Sequence, residues 1–267
     1  MLRDSCFWHE RSKAGGYEGI TVFMLQKVAR ARPGALRRIQ MQPLWLRTGV
    51  LRQAAGKSGR RNHSVRGGDV RMESRGEVNQ LASWLAVELA PTLAGEKEAT
   101  ILCLRDNRQR ALWTWWRRHH WSVLKGLPLQ WRVLRLWDNG AVLFFFRPEV
   151  LEACFRRAEH AALLHYCGYD PGATLATQLD RLTMRFRQEV PHEMGLFLGI
   201  PLKDVLGFMG LSQEGRSGGG LWHVYGDPKP SLERMQRWER LKERAKELLR
   251  CGLPDVEVLQ YALCLGR

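Results

Sequence analysis

The densest chemistry-bearing stretch of the chain runs from Glu189 to Phe208, reading EVPHEMGLFLGIPLKDVLGF. His192 and Glu193 stand side by side, and such a pair can hold a ligand or move a proton. Gly195 and Gly199 are four apart, so on a helix they share one face and let another backbone or a flat ligand come close. Asp204 follows in a second Pro-opened segment, and Trp222 and Tyr225 lie on a short apolar run just beyond. Acidic side chains in the first turn of a helix also satisfy loose amides and the macrodipole, so capping alone accounts for Glu193 and Asp204. The ligand-binding candidates are therefore His192, Glu193, Gly195, Gly199, Asp204, Trp222 and Tyr225, lining a crevice for a small molecule or a partner protein. They designate no catalytic residue, no metal ligand and no cofactor, and they leave open whether the chain is an enzyme.

Other constellations are weaker. The run Leu112 to Trp121 (LWTWWRRHHW) mixes aromatic and basic side chains, as surfaces that stack single-stranded nucleic acid do. On a helix, however, Trp113, Trp116, His120 and Leu124 share a face while Arg117 and Arg118 turn away, which is first of all a core pattern. Adjacent His119 and His120 point about 100° apart on a helix and cannot hold one ion together. Cys154, His160, His165 and Cys167 resemble a ligand set by composition only. On one continuous helix, Cys154 and His165 lie about 16 Å apart, too far for a single zinc site. Gly56-Lys57-Ser58 has the ending of a phosphate-binding loop, but the glycine needed five positions earlier is Leu51. No G-x-S-x-G, H-E-x-x-H or G-x-G-x-x-G motif supplies an enzyme class.

The elements that must position these residues are legible in part. Glu77–Leu89 reads as an amphipathic helix, with Leu81, Trp84, Leu85 and Val87/Glu88 at helical spacing. Ala99–Leu104 suits a buried strand, and Asp106/Asn107 offer an N-cap for a helix reaching about Lys125. Residues 131–137 and 141–147, joined by Asp138-Asn139-Gly140, predict a tight hairpin with Asn-Gly at its centre, both arms apolar enough to be covered. Pro148 opens a helix running to about His165, and Thr174–Val190 is another. Two short helices, 191–198 and 201–209, each begin near a Pro and end before Gly199 or Gly210. A Gly-rich loop (215–220), a strand (221–225) and a long helix (230–250) follow. In that helix Leu232, Met235, Trp238, Leu241, Ala245 and Leu248 form the apolar stripe, and 254–265 adds a last helical segment. A tight hairpin among many helices predicts an α+β fold with a small, mainly antiparallel sheet.

The chain has 267 residues and a formal net charge of +15. The excess is uneven. Residues 1–71 carry 15 basic and 4 acidic side chains, whereas residues 72–267 carry 27 and 23. The first segment is rich in Gly and Arg and poor in apolar runs, so it is expected to be a poorly ordered basic arm, an Arg-rich targeting peptide, or an extension upstream of a true start at Met72. Residues 72–267 then form one domain. The longest apolar run, Ala141–Phe146, is far short of the roughly 20 residues of a membrane-spanning helix, and no leader opens the chain. Six cysteines without a C-x-x-C pair predict reduced thiols in the cytoplasm. Nucleic acid is the alternative partner, through the basic arm and the Trp/Arg-rich helix 107–125, with affinity that would fall steeply with salt.

The motifs Ala90-Pro91-Thr92-Leu93-Ala94-Gly95, PHEMGLFLGIPLKDVLGF and Trp222-His223-Val224-Tyr225-Gly226-Asp227 resemble a bacterial family, domain of unknown function 3793. Its pattern runs C-A-P-T-L-A-G, a hairpin leading to Y-R-P, P-H-E-I-G-x-F-L-G-Y-P-x-x-D-V-x-G-F, and C-C-G-Y-W-K-V-Y-G-D. The resemblance extends from Val87 to about Arg250 and leaves out residues 1–71. It places Pro191, His192, Glu193, Gly195, Gly199, Pro201, Asp204, Gly207, Trp222, Tyr225 and Gly226 at signature positions. This chain departs at the cysteines: Leu89 stands where the family has Cys, and Gly218-Gly219 where it has a Cys pair.

Overall fold

A computed structural model of the protein describes residues 69–266. Most of the basic arm, residues 1–68, lies outside the described residues. A central antiparallel sheet is built from β1 (Ala99–Arg105), β2 (Gln130–Trp137) and β3 (Gly140–Phe146) in the order β1-β3-β2. All seven residues of β3 are buried, because helices cover both faces of the sheet. β2 is an edge strand and half-exposed along much of its length, so only one arm of the expected hairpin is covered on both sides.

The period-2 alternation of strands sorts the core in two. Leu102, Leu104, Ala141, Leu143 and Phe145 face α1 (Asp69–Leu93), α2 (Leu112–Val123), α8 (Lys229–Arg250) and α9 (Asp255–Tyr261). Ile101, Val142, Phe144 and Phe146 face the opposite way, onto α3 (Pro148–Phe155), α4 (Ala158–Tyr166), α5 (Leu175–Gln188), α6 (Met194–Phe197) and α7 (Leu202–Phe208). A second, two-stranded sheet of β4 (Arg216–Gly219) and β5 (His223–Tyr225) carries a small cluster of its own, in which Trp222 and Val224 meet Met235 and Trp238 of α8. The architecture is α+β with a small antiparallel sheet, as the pattern of elements predicts. Among the described residues, no helix is long and apolar enough to cross a membrane.

Several local expectations are corrected by packing. The hairpin pairs Trp137 with Gly140, so its two central residues are Asp138 and Asn139 rather than Asn139 and Gly140. Gly140 is not among the positive-φ glycines; its small size matters instead, because a Cβ there would meet the Leu104 carbonyl oxygen at 2.6 Å on the neighbouring strand. Helix α2 starts at Leu112, well after Asp106, yet Asp106 still caps it by accepting the Thr114 amide at 3.0 Å and the Thr114 hydroxyl at 2.6 Å. The expected face of α2 is inside, with Trp116 edge-on to Phe145 at 5.3 Å and stacked on His120 at 5.0 Å. Along α8, Leu232 is 40% exposed and the buried stripe begins at Ser231, which faces Asp204. Finally, the helix expected from Pro148 to His165 breaks at Arg156-Arg157, where Arg157 adopts an extended backbone (φ −67°, ψ 125°). That break turns α4 back toward α3 and brings His160 against Cys154.

Candidate functional site

Asp204 sits in the first turn of α7 with its side chain wholly enclosed. Its two oxygens accept four hydrogen bonds: from Trp222 Nε1 at 2.8 Å, Ser231 Oγ at 2.5 Å, the Tyr225 amide at 2.9 Å and Lys203 Nζ at 2.7 Å. Burial alone would raise this carboxyl, but the bonds from Lys203, Ser231, Tyr225 and Trp222 outweigh it and hold the group below the usual carboxylate range. A carboxylate offers about four lone-pair positions, so Asp204 has none left for a ligand. It ties α7, β5 and α8 together.

Glu193 is 1% exposed and is engaged in the same manner. Arg185 of α5 donates from Nε at 2.6 Å and Nη2 at 3.2 Å, and the Tyr169 hydroxyl donates at 3.0 Å. Burial and the adjacent Glu193 charge push the Tyr169 phenol far up, and the hydrogen bond to Glu193 raises Arg185, so the phenol stays neutral and the guanidinium charged at neutral pH. Gly195 is the contact point of α6 with α7, where a Cβ would meet Val205 Cγ2 at 2.8 Å. Trp222 is buried against Trp238, ring centres 5.3 Å apart. Tyr225 is half-buried and lies where any side chain at position 207 would strike its ring. His192 is exposed, edge-on to Phe208 at 4.9 Å.

The candidates thus divide between two buried polar knots, one around Asp204, Trp222 and Tyr225 and one around Glu193, with Gly195 at the α6–α7 contact and His192 at the surface. Gly199 leads somewhere else. It has φ +77° just past α6, and a Cβ would land on the Glu98 carboxylate. Its carbonyl accepts Arg234 Nη1 at 2.6 Å, and the same nitrogen reaches Glu98 at 3.3 Å. This corner is one wall of an open cleft of about 330 Å³, whose other walls include Arg157 and His160 from the α3–α4 break and Glu233, Arg234 and Arg237 from α8.

Buried His160 has Nδ1 3.1 Å from both the Cys154 carbonyl oxygen and the Cys154 sulfur. A carbonyl can only accept, so the hydrogen-bond pattern assigns the proton to Nδ1 and the lone pair to Nε2. Nε2 has no hydrogen bond to protein among the described residues, and His160 is one of the residues that line the cleft. Burial, then the nearby Arg157, lowers the imidazole below its ordinary value and keeps it neutral. Burial and the Glu98 charge push the Cys154 thiol up to about 12, so it is a packed thiol rather than an activated nucleophile. Among the described residues, no cluster of three or more His, Cys, Asp or Glu side chains can hold a metal ion.

A second cavity of about 320 Å³ lies between α1, α2 and α8, lined by Trp84, Val87, Trp115 and Leu249 with Lys242 and Lys246 at its edge. On the outer face of α2, Trp121 is 77% exposed and Arg117 and Arg118 are exposed, with Arg118 paired to Glu77 at 3.3 Å.

The family described as protein of unknown function DUF3793 matches residues 85–258. The chain belongs to it. The matched span runs from within α1 to within α9, so every wall of the Gly199 cleft is part of the DUF3793 domain. Neither the curated proteins nor the solved structures give a match. Glu98, Arg157, Glu233, Arg234 and Arg237 carry no motif that singles them out in the sequence. Gly199 alone pointed toward them.

Proposed function

We propose that this DUF3793 protein binds a small ligand in the cleft between the Gly199 corner, the α3–α4 break and α8. The observation that carries this reading is a contrast. The buried acids Glu193 and Asp204 accept three and four hydrogen bonds from protein donors, whereas the Arg157 and Glu233 side chains line an open cleft beside His160 with no hydrogen bond or ion pair among the described residues. The cleft volume, about 330 Å³, falls at the small end of the range of ligand sites, and a few polar groups converging on a partly apolar hollow is their usual make-up. The two knots support this role by stiffening the walls: Asp204 ties α7 to α8 through Ser231, and Glu193 ties α6 to α5 through Arg185. Ligand positioning improves when the supporting side chains have no freedom of their own.

A thermal-shift screen of small metabolites tests it. A ligand at a hundred times its Kd stabilises a folded protein by about 2.7 kcal/mol, a shift readily read in a melting curve. Leu202 is half-buried in the cleft wall, and Leu202→Trp puts an indole into the hollow. The variant should still unfold cooperatively, melting a little below the parent without ligand because Leu202 also packs on the core, and should lose the ligand-induced shift. Shifts that survive Leu202→Trp would place the ligand elsewhere.

A further inference from the structure

The charges around the cleft are not equivalent. Glu98 is 6% exposed and is held by Arg234 at 3.3 Å. Arg237 is held by Glu96 at 3.0 Å. These pairs neutralise themselves and form the walls. Arg157 and Glu233 remain, one of each sign, both exposed, and neither side chain is hydrogen-bonded or ion-paired among the described residues. They line the same cleft from different elements, Arg157 at the corner before α4 and Glu233 on α8, and do not meet each other.

A cleft with one open cation and one open anion is complementary to a molecule that carries both charges. We propose that the ligand is a small zwitterion of the α-amino-acid class, its carboxylate on Arg157 and its ammonium on Glu233; this rests on the cleft being the ligand site. A simple anion would satisfy Arg157 and leave the Glu233 carboxylate beside it repelling. A simple cation would do the reverse. His160 fits the same ligand class, because its Nε2 is an acceptor, and an ammonium has three N–H donors to distribute over Glu233 and a second acceptor. Guanidinium to carboxylate is the favoured pairing at the other end, since the planar fork of Arg157 can take both oxygens. A hollow of about 330 Å³ matches a small molecule of this class in size.

The experiment is calorimetric titration of the full chain with the proteinogenic L-α-amino acids, each beside its N-acetyl derivative, which keeps only the carboxylate, and its carboxamide, which keeps only the ammonium. At least one free amino acid should bind, with both derivatives about 10- to 100-fold weaker, the range expected for losing one charge-assisted hydrogen bond. Arg157→Gln should weaken the free acid and the N-acetyl compound and leave the carboxamide unchanged. Glu233→Gln should do the converse. Both side chains are exposed, so the melting temperature without ligand serves as the check that the fold is kept. An N-acetyl compound or a carboxamide that binds as tightly as the free amino acid overturns the zwitterion and leaves the cleft a ligand site. The same conclusion follows if no free amino acid binds at millimolar concentration while other compounds give shifts abolished by Leu202→Trp. If nothing of any class binds, both readings fall.

Discussion

Replacing Asp204 by Ala would remove the acceptor of four hydrogen bonds from the junction of α7, β5 and α8. Two of the donors have nowhere else to turn: the Ser231 side chain belongs to a residue with 0% exposure and Trp222 to one with 7%. Leaving a buried donor unsatisfied costs roughly 1–3 kcal/mol, so losing the partner of both costs roughly 2–6 kcal/mol. Lys203 is 26% exposed and can turn to water, and the Tyr225 amide is only partly buried, so these two add little. The expected loss is therefore about 2–6 kcal/mol, a large part of the ~5–15 kcal/mol that holds a typical domain. Urea unfolding followed by tryptophan fluorescence reads it directly, because Trp222 lies in the affected cluster. Asp204→Asn should cost less, since it keeps one acceptor oxygen but turns an NH₂ toward the remaining donors. Acid adds a second readout. The folded-state carboxyl is held below its unfolded value of about 4, so the stability it contributes is complete above that pH and is lost as pH falls through the lower, folded value. The Asn variant should lack this part of the acid sensitivity. An Asp204→Ala protein within about 0.5 kcal/mol of the parent, the scatter of an ordinary surface change, would refute the account of Asp204 as a structural knot.

Trp222→Ala should destabilise by about 3–5 kcal/mol through lost burial and a lost partner for Asp204, while exposed His192→Ala should stay within about 0.5 kcal/mol, both measurable by denaturant titration. Thiol alkylation of the native protein near pH 8 should modify the exposed Cys251 and Cys264 first and leave Cys154 unmodified until the chain unfolds, because burial and Glu98 push that thiol up to about 12; peptide mapping by mass spectrometry distinguishes them.

Much of the scaffold is legible without coordinates. The helix expected from Thr174 is there as α5, and Thr174 caps it by accepting the Thr177 amide. Gly199 and Gly210 have positive φ just after the two short helices, where chain reversal after Pro-opened turns demands them. The helical face of Trp113, Trp116 and His120 packs as its spacing requires. The cleft is another matter. It depends on a helix break at Arg156-Arg157, where neither Gly nor Pro marks a stop. It also depends on long-range pairings such as Glu98 with Arg234, residues that nothing local connects.

The amino-acid order by itself determined the periods and punctuation of this protein: short apolar runs for three strands, helical stripes, Pro at helix starts and Gly past their ends, and the family to which the chain belongs. Those are properties of neighbours in the chain, governed by backbone sterics and by the one face each element must bury. Which polar groups are satisfied and which remain open was decided only by tertiary structure. Hydrogen-bond saturation depends on atoms brought within about 3 Å by chain segments far apart in sequence. That is why Asp204 and Glu193, conspicuous in sequence, are engaged in holding the fold together, while Arg157 and Glu233, inconspicuous there, face the cleft.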